Sequence, residues 1–320
     1  MGQFGWPPGA EWLFATQVII QSGPVAGNEL WRFDSANPGF VVDVPITGTV
    51  NALDTMAALD FRPSTGELYG LGVYDDIYVG GSSGNHVLRL YRINPLTGAA
   101  TVVNAAGVTV TATGSYGMSF NSSDEVRIVS SGGLNIRLSP TTGNLIGTDT
   151  DLAFVAGDPG LGMSSPVPFV TAIGQDAAGT LWGIDSRTNH DIFVRIGDAN
   201  GAPTSPNSGE VHTIGSLGVN PAADYNIGLD ISPVSGTAYA FASAGSDTLY
   251  TVNLGTGAMT SVGAIGSTGA LEGFAVAPAD FTVPAAAQYP VPALGGIGTV
   301  SLLVLLAAMG MWLVRRRMSA

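Results

Sequence analysis

The 320-residue chain contains no cysteine and no lysine. The first absence excludes disulfides, thiol catalysis and cysteine-ligated metals; the second excludes Schiff-base chemistry. Charge is scarce, at 11% of residues, against the usual quarter. Basic residues are scarcer still: eleven arginines stand against 24 acids, for a net charge of −13. Three of those arginines sit together at Arg315, Arg316 and Arg317, so the rest of the chain is more acidic than the total suggests. Such a surface repels phosphate backbones, which argues against a nucleic-acid partner. Solubility, cation binding or a dilute extracellular setting fits it better.

What is abundant is glycine (45) and proline (19) alongside 45% apolar residues. The apolar content is too high for a disordered chain. The glycine and proline content is wrong for a helical bundle, since these are the poorest helix formers.

Ala293–Val314 is 22 residues without a charge. As a helix it would be about 33 Å long, enough to cross a hydrocarbon core of about 30 Å. With Arg315–Arg317 following at once, the positive-inside rule predicts a transmembrane helix with the preceding chain outside the cytoplasm. Residues 279–292, rich in Pro and Ala, read as an extended linker. Residues 1–10 form a leader of unclear role: no basic residue precedes Arg32, and no signal peptide is recognisable. The expectation is a true start upstream, with a tail anchor inserted after synthesis as the alternative.

Residues 11–278 carry an internal repeat. The clearest copy is LDFRPSTGELYGLG followed by LRLYRINPLTGAATVV, within Met56–Val103. Tyr225–Ile265 repeats it as LDISPVSGTAYAFA and DTLYTVNLGTGAMTSVGAI, and Gly117–Ile146 and Thr171–Leu217 are looser copies. Each unit holds about four short apolar strands bounded by Gly, Pro, Asn and Thr-Gly turns, the signature of a β-propeller blade. The ends complement each other. Leu271–Pro278 reads as a lone first strand, and Trp12–Ile46 supplies the rest of a blade. The expected fold is therefore an all-β, five-bladed propeller closed by pairing of its N- and C-terminal strands, plus one C-terminal transmembrane helix. A twisted β-sandwich or open repeat array is the alternative.

NELWRFDSANPGFVVDVPITG, LDFRPSTGELYGLG, RLYRINPLTGAATVV, NIRLSPTTGNLIGTDTDLAFVAGDP and LYTVNLGTGAMTSVGAIG together resemble the bacterial domain-of-unknown-function family numbered 4394. That resemblance implies an exported, propeller-like repeat domain with no assigned activity, and so supplies no site residues. Val291, Pro292, Ala293 and Leu294, then Gly298, an apolar helix and Arg315, Arg316 and Arg317 resemble the Ile-Pro-Thr-Leu and Pro-Glu-Pro types of C-terminal sorting signal. This implies a Gram-negative exported protein and a membrane protease of the exosortase kind as a processing partner.

Candidate chemistry is sparse. His86, His190 and His212 fall in different repeats and read as surface or loop residues. Gly80–Gly84 spells G-x-S-x-G but lies in a Gly/Ser-rich excursion rather than on a strand-to-helix turn. Asp149 and Asp151 alternate along a strand and, with Asp158, form the one candidate metal site, for calcium; otherwise they cap turns, and no other cofactor is implied. Asp60 and Asp230 recur at one place in two repeats and read as structural groups bonding turn amides. Tyr69, Tyr91, Trp182, Tyr239 and Tyr250 also recur, as inter-blade packing or a carbohydrate-stacking row.

The leading functional expectation is an exported, membrane-anchored or sorted cell-surface scaffold, not an enzyme, with an extracellular polysaccharide as candidate partner. The alternative is an extracellular hydrolase or lyase acting on a glycan through carboxylates at the propeller axis. That alternative requires two acids to converge there.

Overall fold

The structure is a computed structural model. It describes residues 10–20, 25–75, 84–111, 114–162, 167–187, 191–219, 226–243, 246–267 and 269–282. All of these lie in the first of two compact units, Met1–Thr282; the second, Val283–Ala320, falls outside the described residues.

Five mostly antiparallel sheets follow one another along the chain, the fourth carrying one parallel pair, Ala153–Phe154 with Glu210–Ser216. The second blade runs from its inner strand Thr55–Phe61 through Leu68–Asp75 and Asn85–Ile93 to Ala100–Val102, with Val108–Thr111 also pairing the third strand. The third, fourth and fifth blades begin with the inner strands Tyr116–Phe120, Val170–Gln175 and Ile227–Ile231. The first blade is composite. Its inner strand, Leu271–Val276, comes from the far end of the domain and pairs antiparallel with Trp12–Ile20, matching Leu13 with Val276 and Gln17 with Leu271. The five-bladed propeller closed by its two ends is therefore the observed architecture.

The turns explain why the repeat was legible. In Asn94–Gly98 the Asn94 Oδ1 accepts from the amides of Leu96 (2.9 Å) and Thr97 (3.1 Å), and Gly98 N donates to Asn94 O at 2.9 Å. Asn253–Gly257 repeats this bond for bond. Gly98 is left-handed, with φ 71°, and a Cβ there would stand 2.3 Å from Pro45 O in the preceding blade. The glycine thus serves both the turn and the blade contact.

The core lies between blades rather than within one layer. Leu71, Leu88 and Leu90 of the second blade pack on Met118, Ile128 and Ile136 of the third. Phe193 and Ile184 of the fourth meet Leu229 and Ala240 of the fifth. Phe241 and Leu249 of the fifth meet Phe33 and Phe274 of the first. The first and second blades join through Phe14 and Phe61, edge to face at 5.4 Å between ring centres. Each fully buried side chain of this size contributes about 1.5–3 kcal/mol, so the ring is held mainly by these faces. Tyr69 and Tyr91 are fully buried and Tyr239 nearly so, which makes the aromatic repeat packing rather than a ligand-stacking row. Tyr69, for example, meets Phe120 of the next blade edge to face.

One expectation is corrected. The fold was expected to include a transmembrane helix over residues 293–314. Among the described residues no helix is long and apolar enough to cross a membrane. The helices described are 3₁₀ turns of three or four residues, such as Pro159–Gly162, whereas a span needs about 20. Residues 293–314 themselves lie outside the described residues. The membrane as a partner, and anchoring in the inner membrane as the location, are withdrawn with the helix.

The Asn94–Gly98 turn generates a stability prediction. Gly98→Ala loses about 1–3 kcal/mol, from the left-handed backbone and the clash with Pro45 O, and Asn94→Ala about 1 kcal/mol. Urea unfolding of the two variants measures both, and equal small losses would show that the blade contact contributes nothing.

Candidate active site at the propeller axis

The five inner strands run side by side and finish around a cavity of about 490 Å³. Asp60 of the second blade and Asp230 of the fifth both line it, with Ser119, Asn121, Gln175 and Phe120 among their neighbours. The two acids are almost wholly buried. Their bonds differ from the sequence expectation, because they hold strand amides, mostly those of the next blade. Asp60 Oδ2 accepts from Phe120 N of the third blade at 2.6 Å. Asp230 Oδ2 accepts from Val276 N of the first blade at 2.7 Å, and its Oδ1 from its neighbour Ile231 N at 2.7 Å.

Burial dominates their electrostatics. Desolvation pushes the Asp60 carboxyl up to about 7, against the pull of its amide hydrogen bonds. Asp230 is raised well above the ordinary carboxylate range, first by burial and then by the charge of Asp60. Near neutral pH the pair therefore holds a proton. The two carboxyls titrate as one unit, both raised by burial. At the rim, Arg62 holds Asp124 in a two-pronged ion pair with Nε at 3.1 and 3.0 Å from its two oxygens, which lowers the Asp124 carboxyl. This rim acid is thus shifted in the direction opposite to the buried pair.

The other sequence candidates are placed as follows. Asp149 faces two arginines: Arg127 Nη1 donates to it at 2.9 Å, and Arg137 donates through Nε at 2.9 Å and Nη2 at 3.0 Å. Asp158 accepts from Gly160 N at 2.8 Å and Thr213 N at 2.9 Å. Asp151 is exposed. Among the described residues no group of three or more His, Cys, Asp or Glu is placed to hold a metal ion. His86 is buried rather than in a surface loop, its Nδ1 2.7 Å from Tyr116 Oη. His212 stands on the fourth strand of the fourth blade. His190, residues 80–83 of the G-x-S-x-G stretch, and Val291, Pro292, Ala293, Leu294, Gly298, Arg315, Arg316 and Arg317 lie outside the described residues.

The expectation of a scaffold without catalysis is corrected at this point. The sequence could not place two acids at the axis, and the structure puts Asp60 and Asp230 in one cavity there. Sequence reasoning singled out both residues through their repeat position but assigned them to turns. Their separation by two blade positions around the ring hid their meeting.

Among solved structures the chain is similar to the periplasmic gluconolactonase of Pseudomonas aeruginosa, at 15% identity and a TM-score of 0.39, with 85% of this chain and 70% of that chain covered. It is also similar to the GH43_1 enzyme of Xanthomonas citri, solved with xylose, at 11% identity and a TM-score of 0.45, with 88% of each chain covered. No curated protein matches. The model of one family, described as a domain of unknown function (DUF4394), matches residues 29–275, and the chain belongs to that family.

Proposed function

We propose that the protein is a carboxylate-dependent hydrolase or lyase acting on a glycan at the axial cavity. The observation that carries this reading is the convergence of Asp60 and Asp230 there, with a proton retained between them. Two carboxyls whose surroundings separate their proton affinities divide naturally into an acid and a base. The carboxyl of the pair that keeps its proton donates it to the oxygen leaving the sugar. The other, ionised, takes a proton from the attacking water or, in a lyase, from the carbon beside a carboxylate. The cavity volume lies in the range of small-ligand sites, about 300–1,000 Å³. Its lining mixes the amides and hydroxyls of Asn121, Gln175 and Ser119 with apolar Phe120 and Pro233, which suits the polar rim and apolar face of a sugar ring.

Purified full-length protein assayed on aryl glycosides, sugar lactones and uronate-containing polysaccharides tests this. Turnover is expected on at least one class, and the appearance of an unsaturated product distinguishes lyase from hydrolase. Asp60→Asn keeps an oxygen acceptor for Phe120 N and Asp230→Asn keeps one for only one of its two strand amides; both variants are expected to lose about 10²–10⁴-fold in rate. Wild-type rates in either variant, or no turnover by the wild type across the panel, would refute the reading. The pH profile should be bell-shaped and displaced upward from the ordinary carboxylate range, rising as the first proton leaves the Asp60–Asp230 pair and falling as the second leaves.

The same groups make a stability prediction. A carboxyl whose folded pKa is raised binds its proton more tightly when folded, so its contribution is greatest at low pH and is lost as pH rises to the folded value. For Asp60 that window runs from about 4, the unfolded value, to about 7. The melting temperature is therefore expected to rise on acidification from pH 7.5 to 5, and less so in Asp60→Asn. A melting temperature that falls over this range in the wild type would contradict the buried, protonated pair.

A further inference from the structure

Asn121, Ser122 and Gln175 border two spaces at once. One is the axial cavity, and the other is a groove of about 250 Å³ between the third and fourth blades. With these residues as a shared threshold, the two spaces form one cleft that runs outward from Asp60 and Asp230. The far end of the axis offers no comparable room. It narrows to a void of about 20 Å³, bordered by Glu272, which admits a water molecule and no sugar. A ligand longer than the axial cavity thus has the groove as its continuation.

The walls of the groove are turns held by their own hydrogen bonds. Asn121 Oδ1 accepts from Ser123 N and Glu125 N, both at 2.9 Å, which fixes the turn after the inner strand of the third blade. In the fourth blade Gln175 Nε2 donates to Gly179 O at 2.8 Å, and Asn200 N donates to Thr180 Oγ1 at 3.0 Å. Among the described residues no protein group bonds the hydroxyls of Ser122 and Ser123, the side-chain amide of Asn200 or Oε1 of Gln175. Hydroxyls and amides both donate and accept, as the hydroxyls of a sugar do.

The cleft contains arginines, but their charge is already matched. Arg137 gives Nη1 to Glu125 at 2.9 Å, and Nε and Nη2 to Asp149. Arg127 divides its Nη groups among Asp149, Asn135 and Asn207. In the axial cavity Arg62 is held by Asp124, and Asp60, Asp176 and Asp230 line the same space. No other arginine lines either space among the described residues. A carboxylate on the ligand finds no unmatched cation there, and a chain of net charge −13 repels it.

We propose that the groove is a second sugar subsite, continuous with the axial cavity, and that the substrate is a neutral oligosaccharide. This rests on the reading of the axial cavity as a glycan site. It also selects hydrolysis, because a neutral sugar has no carboxylate to acidify the carbon that a lyase attacks.

Titration calorimetry on full-length Asp60→Asn, in which turnover is slowed, provides the test. The probes are xylo-, cello-, galacto- and manno-oligosaccharides of one to four units, and oligogalacturonides of the same lengths. Affinity for at least one neutral series is expected to rise about tenfold between one unit and three, the yield of one or two added hydrogen bonds, with oligogalacturonides about tenfold weaker or worse. Ser123→Ala/Asn200→Gly in the same background removes two side chains that line the groove and not the axial cavity. Glycine suits the left-handed backbone of Asn200, at φ 59°. This double variant is expected to abolish the gain with length. Affinity independent of length, a gain that survives the double variant, or tighter binding of oligogalacturonides overturns the proposal. Binding or turnover of monosaccharide glycosides without a gain with length removes the subsite and leaves the axial reading standing. No binding of any series, together with no wild-type turnover, removes both. If the double variant fails to fold, wild-type kcat/KM on aryl glycosides of one, two and three units is the second measure, and equal values overturn the proposal.

Discussion

The pairing of Leu271–Val276 with Trp12–Ile20 is the contact on which the rest of the molecule depends. It turns a row of sheets into a ring, and only in a ring do five inner strands share an axis. The closing strand also carries groups for both ends of that axis. Val276 N receives Asp230 beside the larger cavity, and Glu272 lines the narrow void. Closure is exacting: a Cβ on Gly273 would stand 2.8 Å from backbone atoms of Ala58. Thr16 fastens the same seam, donating to Met56 O at 2.7 Å while accepting from Gly273 N at 2.8 Å.

Two sets of acids contrast electrostatically, one held by arginines and one without them, although burial raises Asp54 even beside Arg89. Asp124 with Arg62, and Asp149 with Arg127 and Arg137, are held below the ordinary range because a guanidinium favours the charged form. Asp60 and Asp230, buried along the axis, and the partly buried Glu272 have no such partner and are raised. A chain with few bases cannot neutralise every buried acid. The ones left unmatched include Asp60, Asp230 and Glu272, where the inner strands converge, and Asp191 away from the axis.

Local features were legible in the sequence and long-range ones were not. Asn94–Gly98 and Asn253–Gly257 read as the same turn because every bond that makes them lies within five residues. The Asp149, Asp151 and Asp158 reading went another way, because the bonds of Asp149 come from Arg127 and Arg137, 22 and 12 residues back on neighbouring strands. His86 was read as a surface residue, since nothing local announces Tyr116, 30 residues on in the next blade. Glu272 carried no sequence signal at all. It lies within a strand otherwise rich in apolar residues and glycine, and only the ring brings it to the axis.

By itself the sequence determined the repeated strands, the turns and the way the two ends complete one blade, with five blades its leading count. These follow from side-chain periodicity and short-range hydrogen bonds, which act between residues close in the chain. Only the tertiary structure decided which carboxyls meet, which are neutralised and which stay buried without a counter-charge. Electrostatic coupling and desolvation depend on distance and burial in space, and the ring brings Asp60 and Asp230 to one cavity from 170 residues apart.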